Sequence, residues 1–307
     1  MQIKDIGEIN LIKRLSKGIR LDKSVIRGAG DDTAVINWTK GKYLLFTSDM
    51  LIEDTHFKRG LTPFCATPFQ IGWKTLGRNI SDIAAMGGTP RYALVSIGLN
   101  PRSPVSLADG IYKGLKALAD RFGVNIVGGD TARSDKLVID ISLIGEVERK
   151  NLVTRGGAKK GDVILVTGSI GGSIKGKHLN FIPRVEEARR LVKNFRINSM
   201  IDISDGLELD LWRILDASKA GARIYQNAIP LSKDAGSFAR AMTEGEDFEL
   251  LFTMTVGEAR RFFRTKLADM KTPVTLIGEI LHRKYGYKLI KPDGSIMTLG
   301  PKGYLHF

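Results

Sequence analysis

Cysteine occurs once in the 307 residues, at position 65. A lone thiol excludes an internal disulfide and a cysteine-based zinc site, and a reducing cytoplasm is the simplest setting for it. Histidine is nearly as sparse, at positions 56, 178, 282 and 306, so neither zinc chemistry nor a thiol nucleophile is expected. No apolar run is long enough to span a bilayer. The opening MQIKDIGEINLIKRL lacks the uninterrupted apolar core of a secretory signal. A basic tail and the aromatic–basic interleaving of RNA-recognition modules are both missing. Acidic residues are the minority: 33 Asp and Glu face 47 Lys and Arg, a formal net charge of +14. That surplus points to an anionic partner such as a nucleic acid, a nucleotide or a phosphorylated metabolite. The basic residues are scattered along expected helix faces, however, where a solvated surface accounts for them.

The chain is 43% hydrophobic and 26% charged, the balance of a soluble globular protein long enough for two cores. A division near Arg149 predicts an N-terminal unit over 1–148 and a C-terminal unit over 149–307. Periodicity predicts helices over 8–16, from a Thr67 cap and Pro68 to Gly87-Gly88, over 105–122 stopped by Gly123, and over 184–195, 207–218, 232–242 and 257–268. Strands are expected at 34–36, 44–46, 92–99, 124–127, 136–147 and 163–166, then from 200, into 252, over 274–280 and over 286–290.

The few acids fall in telling places. The apolar run 44–46 is expected to end at Thr47-Ser48-Asp49, with Glu53, Asp54 and His56 close behind. Hydroxyls and a carboxylate at a strand end suit a hard cation; a turn capped by Ser48 or Asp49 explains the same residues. Asp31 and Asp32 repel each other unless solvated or near a cation. Asp82 stands beside the apolar 83–86, where an idle charge is expensive. Gly128-Gly129-Asp130-Thr131 lets backbone approach a ligand, or forms a plain turn. Asp202 and Asp205 flank a strand-to-helix turn, where capping is the alternative. Gly171 to His178 nearly matches the phosphate loop G-x-x-x-x-G-K-[ST]. His178 replaces the hydroxyl and Pro183 follows too soon for a long helix, so it is not read as one.

Taken together, Asp32, Asp49, Asp82, Asp130, Asp202 and Asp205 recur at element ends or beside glycines. Carboxylates that converge in a basic protein need divalent cations, and aspartate-held Mg²⁺ with glycine turns suits polyphosphate binding and phosphoryl transfer. The segments GAGDDTAVI (28–36), FTSDMLIEDTHF (46–57), NISDIAAMGGTP (79–90), IVGGDTARSD (126–135), TRGGAKKGD (154–162), IDISDGLELDL (201–211), GEDFELLF (245–252) and KGYLHF (302–307) cover nearly the whole chain. In this order they resemble the thiamine-monophosphate kinases, of the superfamily that includes aminoimidazole ribonucleotide synthetase.

The resemblance implies an α+β, two-domain, aminoimidazole ribonucleotide synthetase-like fold. Its N-terminal domain shares a β-barrel in a homodimer, and its C-terminal α/β domain completes the site. It implies ATP-dependent phosphorylation of thiamine monophosphate to thiamine diphosphate, with several Mg²⁺ ions on Asp32, Thr47, Ser48, Asp49, Asp82, Asp130, Asp202 and Asp205. ATP contacts are implied for Tyr112, Gly129, Asp130, Arg155 and Ser204, and substrate contacts for His56 and Glu246. Relatives carry an aromatic two residues before the terminal Gly-Tyr, where this chain has Pro301. The acceptor is a phosphate whose second pKa is about 6, so no general base is needed. Asp49, Asp82, Asp130 and Arg155 are the expected catalytic residues, and Glu246 or Asp247 suits the cationic thiazolium ring. Three other readings remain: a purine-precursor or other enzyme of the superfamily, a basic nucleic-acid-binding protein whose affinity falls steeply with salt, and a structural protein with ordinary acidic turns.

Overall fold

The computed structural model describes residues 2–60, 65–265 and 270–307. Two sheets organise it. The first has six strands in the order β1 (Val25–Arg27), β2 (Ala34–Asn37), β3 (Lys42–Ile52), β6 (Val138–Glu148), β4 (Thr89–Leu99) and β5 (Asn125–Arg133). Only β4 and β5 run parallel. In β6, buried and half-buried residues alternate from end to end, so Ile139, Ile141, Leu143 and Val147 line one face. The opposite face is left open and carries Phe46, Met50, Tyr92, Leu94 and Val127 in exposed positions.

Helix α2 (Pro68–Ala85) covers the buried face. Thr67 caps its start, as its sequence predicts, and Gln70 returns a bond to the Thr67 amide to make the cap reciprocal. Ile71, Leu76, Ile80 and Ile83 are fully buried, each worth roughly 1.5–3 kcal/mol. Helix α3 (Val105–Phe122) lies so close to α2 that a Cβ on Gly72 would sit 1.9 Å from the Ile111 carbonyl. Gly114 stands in the same relation to Phe69. Gly123 then ends α3 in the left-handed region, where glycine is strain-free.

The second sheet has seven strands: β13 (Ile296–Thr298), β12 (Tyr287–Ile290), β9 (Ala220–Tyr225), β11 (Val274–His282), β7 (Asp162–Thr167), β10 (Leu250–Thr255) and β8 (Ser199–Asp202). The short helix α4 (Lys177–Asn180) follows β7, and α5 (Val185–Asn194) precedes β8. Helix α6 (Leu207–Ser218) packs on this sheet, with α7 (Phe238–Thr243) against α6 and α8 (Val256–Arg264) against β10. α2 packs on β3 and β6 and also on β8 and α5. A single apolar cluster therefore runs from Leu45 and Ile83 to Leu165 and Phe252.

Several expectations change. The strand begun at 44 does not stop before Thr47: β3 stays paired with β6 through Ile52. β5 likewise continues through Gly128–Thr131, so Asp130 lies within a strand. The first helix, α1 (Ile3–Ser16), kinks at Gly7. The helix expected over 232–242 shortens to α7, because Gly236 adopts φ 71° and Ser237 caps only the segment after it. Sequence periodicity did not find β9. The end of the helix expected over 257–268 lies outside the described residues. The near-match to a phosphate loop opens no long helix, and Lys177 is spent on Glu249 at 2.8 Å and the Ser169 carbonyl at 2.9 Å.

Candidate active site

Strand alternation decides which of the three residues 47–49 reach the interior. Thr47 and Asp49 face α2; Ser48 faces the open side, where its hydroxyl donates to Asp140 at 3.1 Å. Thr47 Oγ1 donates to Asp82 Oδ2 at 2.6 Å. Asp82 comes from the last turn of α2, Asp202 from the end of β8 and Asp32 from the β1–β2 loop. These three residues offer carboxylate oxygens that all lie within 4.8 Å of one another. Ser81 donates to Asp202 at 2.5 Å, and Arg155 donates to Asp32 Oδ1 at 2.7 Å.

Burial, and then the neighbouring carboxylates, push Asp82 and Asp202 far above the ordinary aspartate range. Burial and adjacent Asp32 push Asp31 up to about 6. Asp32 Oδ2 is buried with no hydrogen-bond partner among the described residues. An orphaned oxygen in a cluster of three hard oxygen donors fits a divalent cation such as Mg²⁺.

Beside the cluster opens a cavity of about 710 Å³ bordered by His56, Arg78, Ser204, Asp205, Glu246 and Tyr304, among others. Lys74, on α2, is completely buried and holds Glu246 at 2.7 Å and the His56 carbonyl at 2.7 Å. Burial pulls the Lys74 ammonium below its usual range against the pull of Glu246. Burial would raise Glu246, but Lys74 and Arg78 overcome it and hold the carboxyl low. Burial, aided by Arg78, His306 and Lys74, takes His56 down to about 4, so its ring is neutral. The chain's tail supplies an aromatic wall. Tyr304 N–H donates to the Asp205 carbonyl at 2.9 Å, and the His306 ring lies 5.2 Å from His56 and 5.1 Å from Tyr304.

The expected site residues fall into three groups. Asp32, Thr47, Asp82 and Asp202 meet, Arg155 joins them through Asp32, and Asp49, near enough for its charge to act on Asp82, pairs with Arg78 at 3.4 Å. His56, Ser204, Asp205 and Glu246 border the cavity, Asp205 paired with Arg213 at 2.5 Å. Ser48, Gly129, Asp130 and Tyr112 do not join them. The register runs from Met50 through Asp140 and Ser96 to Asp130, which puts Asp130 exposed on the open face of the edge strand. Three strand spacings separate it from β3, about 14 Å. A Cβ on Gly129 would lie 1.8 Å from the Val95 carbonyl oxygen, so this glycine serves the close approach of β5 to β4. Tyr112 is half-buried against the first core.

Sequence reasoning missed Lys74, Arg78 and Arg213. Arg78 precedes Asp82 by one helical turn, a spacing that carried the signal. Lys74 looks like any solvated helix lysine, and nothing local marks it as buried.

Residues 30–147 match the family described as AIR synthase related protein, N-terminal domain. The thiamine-monophosphate kinase of Rhodopirellula baltica is 35% identical, over 91% of this chain and 90% of its own. That of Bacillus subtilis is 32% identical over 98% and 100%. The solved structure of AaThiL complexed with AMPPCP and TMP is 30% identical with a TM-score of 0.84, covering 100% of this chain and 99% of that one. Hydrogenase maturation protein HypE in complex with ATP, at 19% identity and a TM-score of 0.71, shares the fold alone.

Proposed function

The chain belongs to the thiamine-monophosphate kinase family, and we propose that it transfers the γ-phosphoryl group of ATP to thiamine monophosphate in one in-line step. The observation that carries this reading is the meeting of Asp32, Asp82 and Asp202, from three separate elements, beside a cavity that holds a half-buried carboxylate, Glu246. A non-bridging oxygen of the acceptor phosphate attacks the γ-phosphorus. The bond from that phosphorus to the β–γ bridging oxygen breaks, and its electron pair leaves with ADP. The acceptor oxygen is already deprotonated near neutral pH, so the chain has to align and neutralise rather than abstract a proton. Asp32, Asp82 and Asp202, with Thr47 and Asp49 beside them, would hold Mg²⁺, which when bound offsets phosphate charge.

Arg155 and Ser204 stand at the nucleotide side of the site. Glu246 faces the cationic thiazolium ring, with neutral His56 and Tyr304 as its walls. Asp247, the alternative partner for that ring, is buried and accepts from the Gly171 amide at 2.9 Å, which favours Glu246 for the role.

The open face of the first sheet supports a homodimer closed by a shared barrel, since Phe46, Met50, Tyr92 and Leu94 are costly to leave in water. Residues 1–148 would supply that interface and the ATP and metal ligands, and 149–307 would complete the pocket. Gly129, Asp130 and Tyr112 belong to the nucleotide end as completed in the dimer. We place the reaction in the cytoplasm; among the described residues no helix is long and apolar enough to cross a membrane.

A coupled ADP-release assay tests the reading. Thiamine monophosphate should release ADP with Mg²⁺ and not without it, and an aminoimidazole precursor should release none. ADP release with the precursor alone would move the chain to another branch of the superfamily.

A further inference from the structure

Arg78 stands at the one boundary that phosphoryl transfer has to cross. Its side chain is 17% exposed, and its Nε lies 3.4 Å from Asp49 Oδ2, on the side of the acid cluster. The same residue borders the cavity that holds Glu246 and His56. Nη1 is buried and has no hydrogen-bond partner among the described residues. A permanently charged planar fork, loosely engaged on one side and unsatisfied on another, is built for an oxyanion. The other cations bordering the cavity, Lys58, Lys175 and Arg240, are exposed at its rim.

We propose that Arg78 is a catalytic residue that binds the acceptor phosphate, holding it between the acid cluster and the cavity. The proposal rests on the phosphotransfer reading above. With the ring against Glu246, the phosphate end of the substrate is the part left to meet the γ-phosphate, and two polyanions approach there. Arg78 neutralises the acceptor and keeps one of its oxygens in line, while Asp49 fixes the guanidinium from behind. The step itself is unchanged: a P–O bond forms at the γ-phosphorus and the bond to the ADP oxygen breaks.

The test compares Arg78→Gln and Arg78→Lys with the unaltered chain. Titration with thiamine monophosphate and with thiamine, which lacks the phosphate, separates the two ends of the substrate. Arg78→Gln should weaken the monophosphate by about 10- to 100-fold, the range for a hydrogen bond to a charged group. Its affinity for thiamine and its KM for ATP should stay within about threefold. Arg78→Lys, which keeps charge without the fork, should recover part of the loss. Equal binding of the monophosphate by Arg78→Gln and the unaltered chain would overturn the proposal, leaving Arg78 as a counter-charge to Asp49. If the unaltered chain neither binds nor turns over thiamine monophosphate, the phosphotransfer reading fails on its own. Titration with inorganic phosphate then decides Arg78: loss in Arg78→Gln keeps the anion site, and equal binding removes it.

Discussion

Replacing Lys74 by Met tests how the substrate side of the pocket is held together. Methionine fills the aliphatic volume but deletes the ammonium, and with it the contacts to Glu246 and to the His56 carbonyl. Removing one partner of a buried pair costs about 3–5 kcal/mol, because the other charge stays behind uncompensated. The Glu246 side chain is 24% exposed, so water recovers part of that, and the lost bond to the carbonyl adds about 1 kcal/mol. A net loss of about 3–4 kcal/mol results, which lowers the melting temperature by roughly 6–16 °C on the scale for domains of this order. Urea unfolding at neutral pH measures it. Adding Glu246→Gln removes the stranded carboxylate, so the double variant should lose at least about 1–2 kcal/mol less than the two single losses combined. A Lys74→Met loss below about 1 kcal/mol, or strict additivity in the cycle, would refute the claim that this ion pair braces α2 against the loop at Glu246.

Two more outcomes arise from the charges at the site. Asp82→Asn relieves repulsion in the acid cluster, so without divalent ions the variant should be more stable by about 1–2 kcal/mol. It should also lose both the Mg²⁺-dependent rise in melting temperature and about a hundredfold or more of turnover; calorimetry with and without Mg²⁺ reads the first. His56 carries a folded pKa of about 4 against an unfolded value of 6.5. The unfolded chain therefore binds the extra proton first, and stability falls as pH drops from 6.5 to about 4, then levels off. Solvent screening limits the loss to about 1–2 kcal/mol. His56→Asn should flatten that limb of the urea midpoint against pH, and an unchanged slope would assign it to other groups.

Some of the molecule was determined by local sequence. The limits of α3 and α6, the Thr67 cap, the Gly123 stop and the apolar β7 all follow from side-chain period and turn chemistry, which act over a few residues and need no distant partner. The acidic motifs were legible in the same way, because a carboxylate next to Ile83-Ala84-Ala85 is anomalous wherever the chain goes. Which acids meet was a tertiary decision. Unbroken pairing of β3 with β6 turned an expected strand end into a mid-strand alternation, and that alternation sends Thr47 and Asp49 inward and Ser48 out. The same pairing logic carries Asp130 to the far edge of the sheet. Lys74 and Arg78 gained their roles only when the second sheet closed over α2, since burial, and the cost of leaving a buried charge unmatched, exist only once distant segments pack.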